Sequence, residues 1–312
     1  MKKLLYVITF FGILNFTFGM EFSGELHNIF SLEEMKEEKM MNQVKLSAYE
    51  SNEDILGKIT IEGNSATDKI IVYEGYVESY KKDFVLTLGK QRLTWGLGYL
   101  FNPANTYFAL INPEDPKAEV EGINSMKLRC NIGELSRFEG VVFENKMKDK
   151  EIDYAIRYTT IFNEWEVMAN YFKKDNNFIL EAKGNLEIGI WGVLDSKDNN
   201  IVIGEDYSFE ILDRVLYLMN ENMYMQAEKK WIDYIRYSYQ WDEELGFSQI
   251  LTYYLDQKSY FVSSSINYII NDYMDVNFSY NNMDKKFQKI SKSMLGEERS
   301  LKELKIEVST YF

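Results

Sequence analysis

The chain has 312 residues, with 35 Lys and Arg against 49 Asp and Glu, so its formal net charge is −14. This balance argues against a nucleic-acid-binding protein, because neutralising phosphates requires clustered basic side chains. A content of 46% hydrophobic and 15% aromatic residues excludes a disordered chain. Cys130 is the single cysteine and His27 the single histidine. A disulfide framework and a multi-cysteine metal site are therefore excluded, together with most hydrolytic triads and zinc sites.

The N-terminal segment predicts export. Lys2 and Lys3 precede an apolar stretch over 4–18, and Gly19 follows it. This order is typical of a secretory signal peptide, predicted here over 1–19. A membrane anchor is the alternative, but the stretch is short of the roughly 20 apolar residues that a spanning helix needs. The remainder, 20–312, is predicted to form one domain.

Alternation of apolar and polar residues dominates that remainder, for example over 152–159 and 274–281. Such alternation is typical of strands with one buried face. Many runs reach about ten residues, the length at which a tilted strand crosses a bilayer. We therefore expect an all-β fold, a transmembrane antiparallel up-and-down β-barrel of about 16–18 strands, with 14 left open and with both termini periplasmic. A secreted soluble protein with two packed sheets is the alternative.

The connections support the barrel. Strict strand alternation assigns the segments 30–41, 94–120, 195–202 and 282–302 to one side, and these are the longest connections. The opposite side receives mainly short turns that are rich in Asn, Asp, Gly or Lys. Long external loops with short periplasmic turns are typical of outer-membrane barrels.

The last strand carries a second signal. Leu304, Ile306, Val308, Thr310 and Phe312 alternate with polar neighbours up to a terminal aromatic residue. The segment resembles the C-terminal strand of bacterial outer-membrane barrels, and this resemblance implies that Ile306, Val308, Thr310 and Phe312 are read by the barrel-insertion machinery. An ordinary terminal strand that happens to end in Phe is the alternative.

One central segment carries a family resemblance. The residues Leu88-Gly-Lys-Gln-Arg-Leu-Thr-Trp-Gly96 are followed by Asn102-Pro-Ala-Asn105 and Asn112-Pro-Glu-Asp-Pro116. The pattern resembles a strand and loop of porin-like outer-membrane barrels, including relatives of alginate-export porins. It covers about residues 83–125 and implies the fold more than the function.

The same segment raises two questions about the pore. If Leu86 and Leu88 face lipid, alternation sends Lys90 and Arg92 the same way, unless they lie at the outer rim or a bulge near Gly89 turns them inward. The connection 94–120 holds all three prolines, which stiffen it. It either folds into the lumen and narrows it, or caps the barrel from outside.

Alternation also predicts the lumen lining. The candidates for pore lining or constriction are Lys90, Arg92, Trp95, Arg129, Arg157 and Arg236. Further inward-facing charges are predicted at Lys45, Lys58, Glu62, Lys127, Asp153, Glu181, Lys183, Asp275, Lys305 and Glu307. Both signs occur, so many of these side chains are equally consistent with structural ion pairs between strands.

The function expected from these patterns is a porin-like channel in the cell outer membrane for passive diffusion of small hydrophilic solutes. The alternative is a non-conducting structural barrel, or one whose acidic loops bind partners at the surface. No constellation for catalysis is apparent, so we expect no enzyme activity, no cofactor and no metal site. The expected partners are outer-membrane lipid, the insertion machinery and the solutes, and not nucleic acid.

Overall fold

The computed structural model describes residues 21–34, 37–52, 54–65, 69–108, 120–144, 151–211, 213–289 and 300–312. The predicted signal peptide over 1–19 lies outside these ranges. The described residues form eighteen β-strands, which are β1 (Glu21–Glu33), β2 (Glu37–Ser51), β3 (Ile55–Asn64), β4 (Lys69–Lys81), β5 (Phe84–Gln91), β6 (Ile123–Ile132), β7 (Ser136–Glu144), β8 (Ile152–Phe162), β9 (Trp165–Phe172), β10 (Asn177–Asn185), β11 (Gly189–Asp195), β12 (Asn200–Ile211), β13 (Arg214–Met225), β14 (Lys230–Gln240), β15 (Leu245–Tyr254), β16 (Ser259–Asn271), β17 (Met274–Met283) and β18 (Lys302–Tyr311).

The strands close into one antiparallel barrel. Each strand pairs with the next along the chain, and β1 also pairs with β18. The closing register runs from Glu25 opposite Tyr311 to Glu33 opposite Glu303. Closure pairs both edges of the sheet, so every strand has a neighbour on each side.

The structure corrects the predicted strand number. The barrel has 18 strands, and the counts of 14 and 16 that the sequence left open are wrong. β11 shows why the count was uncertain, because Gly189–Asp195 has only 7 residues and includes Gly189 and Gly192, which carry no strand signal. It nevertheless pairs along its length with β10 and β12. The all-β antiparallel barrel class itself fits the structure.

The two ends of the barrel differ. The two longest connections, 92–122 and 284–301, lie at one end, which we call the loop end. The opposite end, the turn end, holds connections of two to four residues together with the start of β1 and the finish of β18. The expectation of long connections at 30–41 and 195–202 is wrong. β1 and β2 extend through most of 30–41, and Lys39 and Glu33 form an ion pair at 2.5 Å between them. β11 and β12 likewise extend into 195–202, so only residues 196–199 connect them.

Short turns fix the strand register. At the turn end, Asn163 and Glu164 both have positive φ, as a two-residue hairpin requires. At the loop end, several four-residue turns finish on a left-handed residue, which is Asn176, Lys229 or Lys258. In these turns the last N–H donates to the carbonyl three residues earlier, at 3.0 to 3.3 Å.

The barrel wall has an apolar outside and a mixed inside. Large apolar side chains such as Phe84, Leu86 and Leu128 are exposed on the outer face. The alternate positions face the lumen, where Val85, Thr87 and their equivalents on other strands are buried. Within the described ranges, no helix is long and apolar enough to cross a membrane.

Candidate pore and the segment that narrows it

The first part of the connection after β5 enters the lumen. We call its residues 92–108 the lumen segment. Trp95 is 3% exposed, and Leu100 and Phe108 are also buried. Gly96 has φ of +103°, and a Cβ at this position or at Gly98 would collide with the residues that follow in the same turn. The two glycines therefore allow the chain to bend back tightly inside the barrel.

A buried carboxylate holds the centre of this segment. Glu221 of β13 is 0% exposed. Its oxygens accept hydrogen bonds from the backbone N–H groups of Tyr99, Leu100 and Phe101, at 2.7, 2.8 and 2.7 Å. The indole N–H of Trp191 donates to the same carboxylate at 2.8 Å. The three backbone bonds supply partners for N–H groups that belong to no strand, and the fourth satisfies a buried indole N–H.

A second carboxylate holds the start of the segment. Glu181 of β10 accepts hydrogen bonds from the Leu97 N–H and from the Asn170 side-chain amide, each at 2.5 Å. Arg157 of β8 lies 3.8 Å from the same carboxylate and 5.6 Å from the Trp95 ring centre. The negative charge is thus partly offset by a guanidinium inside the barrel.

Apolar packing completes the attachment. The inward residues of β6–β14, which we call the apolar wall, receive the side chains of the lumen segment. Trp95 meets Phe108 edge to face with ring centres 5.3 Å apart, and Tyr107 stacks on Phe172 at 4.0 Å. Further buried members of this wall are Val141, Phe143, Ala155, Ile179, Val193 and Val202. This half of the lumen is packed like the core of a soluble protein.

The loop end of β14–β17 carries a smaller apolar cluster. Phe287, in a short helical segment after β17, is 1% exposed and stacks on Phe261 with ring centres 5.4 Å apart. Tyr254 and Phe101 pack against the same cluster. The mouth at the loop end is therefore narrowed from a second side.

The opposite half of the lumen has a polar lining. The inward residues of β15–β18 and β1–β4, which we call the polar wall, include serines, asparagines and charged residues that are mostly half-exposed. Lys58 and Arg92 each contact the Glu74 carboxylate at 2.8 Å and retain 30% and 29% side-chain exposure. Solvent-exposed polar side chains on the inner face of a barrel are typical of a hydrated passage.

The ion pairs continue across the barrel closure. Glu307 of β18 lies 2.6 Å from Lys305 and 3.0 Å from the Nδ1 atom of His27 on β1. His27 Nδ1 also lies 3.0 Å from the Ser309 hydroxyl. Charges of both signs therefore line this wall, and neither sign forms a ring.

A polar cavity of about 200 Å³ opens at the loop end beside the apolar wall. It is lined by Pro103, Thr106, Tyr107, Lys174, Asp175, Asn177, Asp195, Lys197 and Asp198. Burial works against ionisation of Asp175, yet the hydrogen bond from Lys197 at 2.9 Å holds the pKa of its carboxyl below the ordinary value. Tyr107 accepts a hydrogen bond from Asn177 at 3.0 Å.

The predicted site residues fall in different places. Arg129, Arg157 and Arg236 face the lumen from their strands. Arg92 lies past the end of β5 and turns inward to Glu74, and Trp95 belongs to the lumen segment. The structure places Lys90 outside the lumen at the loop end, where it binds the Val72 carbonyl and Glu121. Strand alternation no longer applies to Arg92, because β5 ends at Gln91. The side chains of Lys90 and Arg92 therefore lie on different sides of the wall.

Arg236 contacts the lumen segment. Its guanidinium lies over the Tyr99 ring at 5.5 Å and donates a hydrogen bond to the Tyr99 hydroxyl. Sequence reasoning missed Glu221, although a signal was present. Glu221 lies at an inward position between Met219 and Met223, where an isolated carboxylate needs buried donors. Among the described residues, no group of three or more His, Cys, Asp or Glu side chains could hold a metal ion.

No protein-family profile matches the chain, and no curated protein matches its sequence. Solved structures do match its fold. Wzi, described as an Escherichia coli outer-membrane protein involved in group 1 capsule assembly and as a carbohydrate-binding β-barrel, aligns with a TM-score of 0.64 at 10% identity, over 93% of this chain and 84% of Wzi. A triple mutant of the Rhodopseudomonas blastica porin aligns with a TM-score of 0.56 at 7% identity, over 94% of this chain and 100% of the porin.

At these identities the likeness shows the fold alone. It supports the porin-like barrel fold that the segment around Gly89 to Gly96 implied, and the relationship to alginate-export porins stays a prediction. The chain has the fold of large outer-membrane β-barrels.

Proposed function

We propose that this protein is an outer-membrane barrel that conducts small hydrophilic solutes passively between the lumen segment and the polar wall. The observation that carries the proposal is the difference between the two halves of the lumen. Side chains of the apolar wall are buried under the lumen segment. Lys58 of the polar wall and Arg92, which reaches this wall from the lumen segment, instead keep 30% and 29% of their side chains exposed on either side of the buried Glu74. An 18-stranded barrel is wide enough to hold such a segment and a passage beside it.

The proposal includes an orientation and a route to the membrane. The loop end faces outward and both termini lie in the periplasm, as short periplasmic turns and long external loops require. Residues 1–19 act as the signal peptide. The outward-facing Ile306, Val308, Thr310 and Phe312 serve the insertion machinery. The protein performs no covalent chemistry in this proposal.

The first test is single-channel recording. The mature chain, refolded and added to a planar lipid bilayer, is expected to give small ohmic current steps. A variant in which a short Gly-Ser turn replaces residues 94–120 is expected to give steps several-fold larger, because the lumen segment no longer fills its half of the barrel. If both proteins insert in folded form and both stay silent, the channel proposal is wrong.

A second candidate is a non-conducting barrel that binds a hydroxyl-rich ligand at the loop end. The polar cavity beside Tyr107 favours it, because Asp, Asn and Tyr side chains suit hydroxyl groups, and the similar barrel Wzi is described as carbohydrate-binding. If this candidate is correct, at least one member of a panel of oligosaccharides should bind the refolded barrel, and Tyr107→Ala should weaken that binding several-fold. Saturable binding without current would favour this candidate over the channel.

A further inference from the structure

Four serines form one continuous row across the inner face of β14–β17. Ser238 lies opposite Ser248, and Ser248 lies opposite Ser265. Ser265 in turn lies opposite Ser279. All four side chains are partly exposed, and we call these residues the serine row. Neighbouring strands lie about 4.8 Å apart, so three steps between strands make the serine row about 14 Å long.

The serine row climbs along the passage. Ser238 lies two residues from the turn end of β14, and Ser279 lies four residues from the loop end of β17. The strands of a barrel tilt against its axis, so a row of paired residues rises from strand to strand. A solute can therefore stay in contact with the serine row over much of its path through the lumen.

The serine row offers hydroxyl groups that can bind a solute. The hydroxyls of Ser248 and Ser265 are 2.7 Å apart and share one hydrogen bond. Among the described residues, the side chains of Ser238 and Ser279 have no hydrogen-bond partner. A hydroxyl group donates one hydrogen bond and accepts two, so even the paired serines keep the capacity to bind a ligand.

Amide and aromatic side chains border the serine row. Asn267 and Asn277 lie opposite each other on β16 and β17, two residues nearer the turn end than the row. Each amide adds a donor and an acceptor. At the foot of the row, Tyr217 of β13 lies opposite Ser238. The Tyr217 hydroxyl donates to Asp206 at 2.9 Å, and the side chain is partly exposed.

These groups suit a particular chemical class of solute. A charged solute gains little from them, because rings of charge of one sign are what select ions, and Lys305 at the far end of the row is paired with Glu307 at 2.6 Å. A solute with several hydroxyl groups can both donate to the row and accept from it. A ring with an apolar C–H face can also pack on the side chain of Tyr217. An uncharged sugar has all of these properties.

We infer that the serine row binds small uncharged sugars on their way through the lumen. The inference rests on the proposed channel function and adds a solute class to it. The site lies in the middle of the lumen wall and differs from the polar cavity beside Tyr107 at the loop end. Each sugar–serine hydrogen bond replaces a bond to water, so the net gain is small and binding is reversible, as transport requires.

Block of the ion current by sugar tests this site. Glucose, added in rising concentration to the open wild-type channel, is expected to reduce the potassium chloride current toward a plateau, beyond its effect on the conductivity of the bulk solution. Urea is small and uncharged but has no hydroxyl group, so it is expected to change the current only as it changes the bulk conductivity. A glucose effect that follows the bulk conductivity alone, or an equal block by urea, would overturn the inference.

A double variant locates the site. Ser248→Ala combined with Ser265→Ala removes the centre of the serine row and is expected to raise the glucose concentration for half-maximal block several-fold. The control is Ser136→Ala combined with Thr160→Ala, because these two hydroxyls form an equivalent pair, 2.9 Å apart, on the outer face. Heat-modifiable gel migration checks that both double variants are folded. Equal half-blocking concentrations in the two would contradict the inference.

The channel proposal and the sugar site fail in different ways. Folded barrels that stay silent in potassium chloride alone would overturn the channel, and this inference with it. Barrels that conduct ions but show no saturable block by glucose would overturn the sugar site alone.

Discussion

The carboxylate of Glu221 has an unusual place for a charged group, fully buried inside a barrel at an inward position of one strand. Three backbone N–H groups and an indole N–H converge on it. Bonds to an ionised acceptor are stronger than neutral ones, and four of them compensate for the loss of water around the charge. Glu221 therefore fixes the position of residues 99–101 within the lumen.

Replacing Glu221 by Ala should release the lumen segment. The variant leaves four buried donors without a partner, at about 1–3 kcal/mol each. We expect larger and noisier single-channel currents and faster protease cleavage near residues 95–101. Glu210→Ala is the matched control, because Glu210 is exposed at the turn end of the neighbouring strand. Identical currents and cleavage rates in the two variants would show that Glu221 does not anchor the segment.

Trp95 is a large buried side chain of the segment and packs between Phe108 and Phe172. Trp95→Ala should weaken the attachment of the segment by about 3–5 kcal/mol, the usual cost of truncating a large buried aromatic residue. Trp241→Ala is the control, since Trp241 is 61% exposed. Protease sensitivity of the segment is the measurement, and the barrel itself should keep its melting temperature. Equal protease resistance in both variants would count against this packing role.

At the scale of elements, the lumen segment and the polar wall divide the interior between them. The segment is attached mainly through side chains of β6–β14, so most of the polar wall keeps its contact with solvent. Its charges are paired, as in the contact of Glu74 with Lys58 and Arg92. Removing one member of such an ion pair therefore changes the electric field along the passage without disturbing the packing of the apolar wall.

Lys58→Gln removes one positive charge from the polar wall. In a salt gradient, the reversal potential should shift toward cation preference, because Glu74 is then balanced only by Arg92. Lys81→Gln is the control, since Lys81 is exposed at the turn end. An equal shift of the reversal potential in both variants would mean that the total charge of the protein, and not the charge on the polar wall, sets the ion selectivity.

The sequence predicts which residues of each strand face inward, but it does not predict where the connection after β5 is attached. A period of two follows directly from lipid on one side and lumen on the other, so inward positions such as Arg157 and Arg236 were predictable. Whether the 94–120 connection entered the lumen was left open, because its anchor Glu221 lies more than 100 residues away in the chain. Residues 109–119, which include two of the prolines, lie outside the described ranges.

The whole molecule depends on one long-range pairing, between β1 and β18. Val308 lies opposite Asn28 on one side and Val276 on the other. Val308→Pro removes a ladder hydrogen bond in this strand, so we expect the heat-modifiable folded band to be lost on gels. Val308→Ala, which keeps its N–H, should fold. A folded Pro variant would show that closure tolerates a break in β18.

The attachment of the lumen segment also has a consequence for the order of assembly. Residues 93–108 pack mainly on strands that follow them directly, from Ile123 to Val202, whereas β1 and β18 are separated by almost the full chain. Loop-closure entropy favours contacts that are near in sequence. The lumen segment and the apolar wall can therefore collapse early as one unit, and the remaining strands are then added around it. The barrel then closes over a segment that is already inside it, and the segment need not thread through a finished mouth.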